Sequence, residues 1–229
     1  MFDNQSTSFT IRGYTIHLTT GFFLTGFFLL WGFSKNPVVL LCAVLVELLI
    51  FFAHEAGHAL VLRRFGIPTT MVFHGLGGTT IPLTEMRLSG RRQILVSAAG
   101  PALGLLAAAL FYAGGHALID VDGLPFSDEV LSILFFGWRC GLIVNLFNLL
   151  PIYPMDGGRI LDELLIKIVP RRAPLVTPTL GLLLALALMV WALRIRSIWT
   201  AFIMVQFVIS NFTQLRSVLR SSGPGQPDP

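Results

Sequence analysis

Phe51-Phe52-Ala53-His54-Glu55-Ala56-Gly57-His58-Ala59-Leu60-Val61-Leu62 places an H-E-x-x-H signature inside an uninterrupted apolar segment. On a helix the two histidines, at i and i+4, stack on one face, so both rings can reach one divalent cation. Glu55, one position along, can reach a water activated by that cation and act as general base. The segment around the motif, residues 38–62, is long and apolar enough to cross a bilayer. The pattern therefore points to metal-assisted hydrolysis inside a membrane. A set of buried, structurally satisfied side chains is the competing reading, but polar and ionisable groups in lipid are costly and are mostly functional.

Composition agrees with a membrane protein. Of 229 residues, 54% are hydrophobic and only 12% charged, and the mean hydropathy is +0.76, far from the soluble average. At about 20 residues per span, apolar segments predict about six transmembrane helices, near 18–34, 38–62, 93–118, 129–150, 175–193 and 197–213. Residues 1–214 read as one polytopic membrane domain and residues 215–229 as a disordered tail. The first apolar segment has no small-residue cleavage site after Trp31 and reads as a retained span. Cys42 and Cys140 lie in predicted spans without metal-ligand spacing. The net charge of +4 does not indicate nucleic acid, because its cations cluster at span ends.

Those cations set an expected orientation. With the N-terminus inside, twelve of the sixteen Lys and Arg fall on the cytoplasmic side, whereas Lys35, Arg194 and Arg196 fall outside and Arg139 lies within a span. This asymmetry follows the positive-inside rule and predicts cytoplasmic termini. His54 and His58 then occupy the cytoplasmic half of the second span, and the site opens inward.

Two histidines leave a catalytic metal one protein ligand short. Asp156 is the candidate third ligand, carried by Asn148-Leu149-Leu150-Pro151-Ile152-Tyr153-Pro154-Met155-Asp156-Gly157-Gly158-Arg159 on the same predicted membrane side. Pro151 and Pro154 remove backbone donors and stop a helix, and the two glycines permit a tight path, so Asp156 is expected on an extended turn. Taken alone, Pro-x-x-Asp-Gly-Gly reads as an ordinary loop. Beside H-E-x-x-H the ligand reading is favoured.

On these residues the chain resembles the site-2 protease family, peptidase family M50, whose members are intramembrane zinc metalloproteases. The resemblance rests on His54–His58, on the N-x-x-P-x-x-P-x-D-G element at 148–157, and on Ser97-Ala98-Ala99-Gly100-Pro101. Ile11-Arg12-Gly13-Tyr14-Thr15-Ile16-His17 also looks like the family's amino-terminal segment. The resemblance implies one Zn²⁺ per chain held by His54, His58 and Asp156, with Glu55 as general base and Asn148 as a donor to the oxyanion. A polar interhelical hydrogen bond is the competing role for Asn148, and Asn145 fits that role better.

The implied fold is all-α and integral to the membrane, with a short membrane-associated β-hairpin or loop between helices 2 and 3. Residues 65–92 suit a hairpin, with β-branched and aromatic residues around a glycine cluster. Its strand edge would pair with an unwound substrate helix. His74 reads as a polar contact of this loop, and His17 and His116 as boundary residues. Glu47 and Arg139, at matching depths in spans two and four, are expected to form an ion pair.

The implied activity is hydrolysis of peptide bonds in transmembrane segments of other membrane proteins, in regulated intramembrane proteolysis or remnant-peptide clearance, in a bacterial cytoplasmic membrane. The alternative is a catalytically idle membrane protein with a structural zinc site that binds partner helices. Gly104 stands where family members often carry Asn. No PDZ-like insertion or carboxy-terminal nucleotide-sensing domain is evident, so regulation by such modules is expected to be absent or to be supplied by another protein, such as a membrane partner.

Overall fold

The computed structural model describes residues 6–31, 33–75, 77–84, 88–119 and 128–221. The acidic stretch 120–123, expected to link the third and fourth spans, lies outside the described residues, as do residues 222–229 of the expected tail and Arg87. The elements run β1 (Ser6–Ile11), β2 (Tyr14–Thr19), α1 (Thr20–Leu30), α2 (Pro37–Arg64), β3 (Thr69–His74), β4 (Gly77–Pro82), α3 (Arg91–Ile119), α4 (Asp128–Asn148), α5 (Asp156–Ile168), α6 (Ala173–Arg194) and α7 (Ile198–Ser221). The chain forms two compact units, Met1–Arg87 with Ala99–Leu146 and Leu88–Ala98 with Phe147–Pro229.

Five described helices are long and apolar enough to cross a membrane: α2, α3, α4, α6 and the Thr200–Arg220 part of α7. The protein is an integral membrane protein. The expectation of about six spans is corrected at the amino-terminal end, where residues 18–34 do not form a spanning helix. Leu18 pairs with Thr7 of β1 and with Phe73 of β3, which commits the start of the segment to a sheet. Helix α1, directly after β2, has 11 residues and reaches about 16 Å at 1.5 Å per residue. A hydrocarbon core of about 30 Å needs nearly twice that. At the other end α7 runs through Ser221, so residues 215–221, expected to begin the tail, are helical.

The expected all-α class is corrected too, because the first unit carries a four-stranded mixed sheet in the order β1-β2-β3-β4. The hairpin expected between helices 2 and 3 corresponds to β3 and β4, which lie between α2 and α3 and pair antiparallel from Thr69↔Pro82 to His74↔Gly77. A second hairpin, β1–β2, joins it through a parallel β2–β3 pairing. Its two-residue turn has positive φ at both Arg12 (50°) and Gly13 (83°), the geometry that matches the strand twist of a tight hairpin. Ile16, Phe22, Ala59, Met71 and Phe73 form the core between sheet and helices. Phe22 meets Phe51 and Phe73 edge-on at centroid distances of 5.9 and 6.0 Å, a favoured aromatic arrangement.

Helix α2 begins at a Pro in its first turn, with the Asn36 side chain accepting from the Val38 N–H at 3.0 Å. That cap satisfies one of the donors left open at a helix start. Glu47 and Arg139 do not form the expected ion pair among the described residues. Glu47 Oε2 is buried with no hydrogen-bond partner, packed where Gly26 of α1 leaves room, since a Cβ there would come within 2.6 Å of it. Matching depth on two helices does not fix the rotation of either about its axis, so the two side chains need not face each other.

In the second unit, Ile152, Ala185, Met204 and Phe207 form the core, and Phe147 packs on Phe207 at 5.7 Å.

Candidate metal and proton-transfer site

Deep in α2, His54, Glu55 and His58 are buried, the first two with only 4% exposure. The histidine Nε2 atoms lie 3.1 Å apart. The other side of the His54 ring determines what its Nε2 carries. His54 Nδ1 is 2.7 Å from the Asn145 carboxamide oxygen, while the Asn145 amide nitrogen donates to the Gly141 carbonyl at 2.6 Å. The amide is thus oriented by its own donor bond, its oxygen can only accept, and His54 must hold its proton on Nδ1. The His54 Nε2 lone pair then points toward His58 Nε2. Two imidazoles converging in this way fit a cation between them better than they fit each other.

Asn145 is fully buried and owes its position to Gly104. A Cβ on Gly104 would overlap the Asn145 side-chain amide, so this glycine makes space for an amide supplied by α4. By residue type alone Asn145 suits a generic interhelical bond. The structure makes it the partner that orients His54. Replacing Asn145 by Leu is expected to weaken metal affinity about 10- to 100-fold, the usual cost of losing such a partner. Equilibrium competition against a chromogenic chelator would measure it, and unchanged affinity would remove Asn145 from the site.

Glu55 faces β4. The Thr80 hydroxyl lies 2.6 Å from Glu55 Oε2 and 3.1 Å from its backbone oxygen, and a Cβ on Gly78 would come 2.6 Å from Glu55 Cγ. A strand that presents glycine and threonine here can approach the carboxylate and hydrogen-bond it. Neither Gly78 nor Thr80 stands out in the sequence, because glycine and threonine are ordinary residues of a hairpin. His74 bonds Thr79 Oγ1 at 3.1 Å, the polar loop contact expected of it.

In Ser97-Ala98-Ala99-Gly100-Pro101 the small size of the residues is what matters. A Cβ on Gly100 would overlap the His58 ring, and one on Gly57 would overlap the Ala99 backbone. The small residues let α3 pass close beside the histidines.

In the second unit, Asp156 is buried in the first turn of α5, rather than on the extended turn expected of it. Its carboxylate is well placed at a helix start, where open N–H groups favour negative charge. Gly157 and Gly158 press on the backbone of residues 149–153, leaving no space for a Cβ. Asn148 is the last residue of α4 and is half-buried. His54, His58 and Asp156 each offer one ligand atom from a buried side chain, and two imidazoles with a carboxylate are a donor set suited to zinc.

Residues 124–192 match peptidase family M50, a stretch that includes Asn148 and Asp156. Rip3 of Mycobacterium tuberculosis, a protein named as a putative zinc metalloprotease, is 30% identical over 182 residues, which cover 76% of this chain and 44% of Rip3. Zinc metalloprotease MJ0392 of Methanocaldococcus jannaschii is 29% identical over 115 residues, covering 50% of this chain and 31% of its own length. The chain therefore spans less than half the length of these curated relatives. Among solved structures, the site-2 protease from Methanocaldococcus jannaschii superposes with a TM-score of 0.64 at 22% identity, covering 92% of this chain and 95% of that one. The two share a fold.

Proposed function

We propose that the chain is a member of peptidase family M50, which residues 124–192 match, and on that premise that it is an intramembrane zinc endopeptidase cleaving transmembrane segments of other membrane proteins. The observation that carries this reading is the His54–His58 pair, with one tautomer fixed by Asn145 and a carboxylate, Glu55, beside it. His54, His58 and Asp156 would hold one zinc ion. When bound, zinc supplies Lewis-acid activation of water and of the scissile carbonyl at neutral pH.

The chain's own residues then perform the remaining work. Glu55 accepts the proton of the attacking water on the carboxylate oxygen that Thr80 does not occupy, and passes it to the leaving amine. Thr80 holds the carboxylate in place by donating to Oε2. The Asn148 amide donates to the oxyanion as the carbonyl becomes tetrahedral. The β4 edge, which among the described residues has a partner strand on only one side, accepts an unwound stretch of substrate as an added strand and presents its peptide bonds in extended form. Unwinding must precede cleavage, because a helix occupies its own carbonyls. The carboxy-terminal end and the mouth of the site face the cytoplasm of a bacterial cell, with regulation from a membrane partner; with five spans rather than six, the amino-terminal end of α2 lies on the opposite side.

The test is removal and return of metal. Dialysis of the detergent-purified protein against a chelator is expected to abolish cleavage of single-span model substrates, and stoichiometric zinc is expected to restore it. Full cleavage by protein shown to be free of metal would overturn the reading. Zinc bound at one per chain, with substrate helices captured but never cut, would favour an idle helix-binding protein instead.

A further inference from the structure

The loop that leads to Asp156 is held by an amide far away in sequence. In α7, Asn211 is fully buried, and its side-chain amide is bonded at both ends. Its Oδ1 accepts from the Tyr153 backbone N–H at 3.1 Å, and its Nδ2 donates to the Tyr153 carbonyl at 2.8 Å and to the Phe207 carbonyl at 2.8 Å. The assignment of oxygen and nitrogen is unambiguous by chemistry, because turning the amide would set nitrogen against an N–H and oxygen against two carbonyls. The side chain thus pairs with one residue's backbone as a neighbouring strand would, on a segment with no strand partner. Gly181 of α6 makes it fit, since a Cβ there would overlap Asn211 Oδ1.

The same residue of the loop meets a charge at its other end. The Tyr153 phenol lies in the field of the Asp162 carboxylate, whose Oδ1 accepts from Thr177 Oγ1 at 3.0 Å. Burial, with the Asp162 charge added, pushes the phenol well above its ordinary pKa, so it stays neutral. Only Pro154 and Met155 separate Tyr153 from Asp156.

We infer that Asn211 is a positioning residue for the metal site: by clamping the Tyr153 backbone it sets where α5 begins and hence where Asp156 presents its carboxylate. The inference rests on the proposed role of Asp156 as a zinc ligand. Its physical warrant is tolerance. A ligand must be held to within about 0.5 Å, and a loop of two residues released from both of its backbone bonds exceeds that easily, each residue spanning about 3.3 Å.

The experiment uses the full chain in detergent, with zinc affinity read by chelator competition and site geometry read from the visible spectrum of the cobalt(II)-substituted protein. Asn211→Leu removes all three bonds. Gly181→Ala displaces the amide without altering it, and Asn211→Asp keeps the shape but sets an anion against two carbonyls. In variants that keep their helical circular dichroism and run as a single species, zinc affinity is expected to fall about tenfold or more and the cobalt bands to shift. A merely structural residue would lower the melting temperature and leave the cobalt spectrum of the folded protein alone. Folded variants with wild-type affinity and spectrum would overturn the inference; where Asn211→Leu does not fold, the two milder substitutions decide it. Asp156→Ala separates the two ideas. If it leaves zinc affinity intact, the ligand reading itself is wrong. If it removes binding while the Asn211 and Gly181 variants do not, only the clamp is wrong.

Discussion

Glu55→Gln is expected to slow cleavage of transmembrane substrates about 10²- to 10⁴-fold, the range that a positioned general base supplies, with zinc content unchanged. Glutamine has the shape of glutamate and can still accept from Thr80, whose hydroxyl lies 2.6 Å from the carboxylate. It cannot take a proton. The site around it is tight, with Gly78 against Glu55 Cγ, so a substitution of equal size is the one that isolates chemistry from packing. The measurement is single-turnover cleavage in detergent with metal determined on the same samples. Cleavage within about threefold of wild type at equal zinc would deny Glu55 the role of base, since a general base contributes far more than that.

Gly57→Ala is expected to be among the most costly single methyl additions in the described chain. Its Cβ would lie 2.7 Å from the Ala99 carbonyl carbon and 2.9 Å from Gly100 Cα. Both are backbone atoms that cannot rotate aside, so α2 and α3 must separate. Overpacking of this kind costs about 1–3 kcal/mol, and each kcal/mol lowers the melting temperature by about 2–4 °C in a protein of this size. Metal affinity should fall with it, because His58 is the next residue and packs against Gly100. Gly114→Ala is the control. The same methyl at Gly114 of α3 meets nothing within 4 Å and should leave melting and metal binding unchanged. Equal thermal shifts in the two variants would mean that the close crossing at Gly57 does not exist.

How much of the protein could be read from its sequence differs by element. The H-E-x-x-H spacing converts directly into one helical face, because 3.6 residues per turn is a local property that α2 obeys wherever it sits. The hairpin at residues 69–82 is legible for a similar reason, since its strands are contiguous and joined by a glycine turn. The first apolar segment is not. Hydropathy counts residues 18–34 as a span, but Leu18 and Thr19 are claimed by strand partners, and the β2–β3 pairing joins residues more than fifty positions apart. The Glu47–Arg139 pairing fails because depth is legible and rotation is not.

The sequence by itself determined the chemistry on offer: two imidazoles and a carboxylate on one helix, a second carboxylate after a proline turn, and apolar segments of membrane length. Those facts depend on residue type and local periodicity. Tertiary structure alone decided which partners tune them. Asn145 fixes the His54 tautomer from 91 residues away, Thr80 steadies Glu55 from a neighbouring strand, and Asn211 grips the Tyr153 backbone from 58 residues away. Two asparagines and a threonine carry no signature of their own. Their roles exist only once folding brings a donor to an acceptor, because a hydrogen bond is specified by distance and angle, which no spacing along the chain encodes.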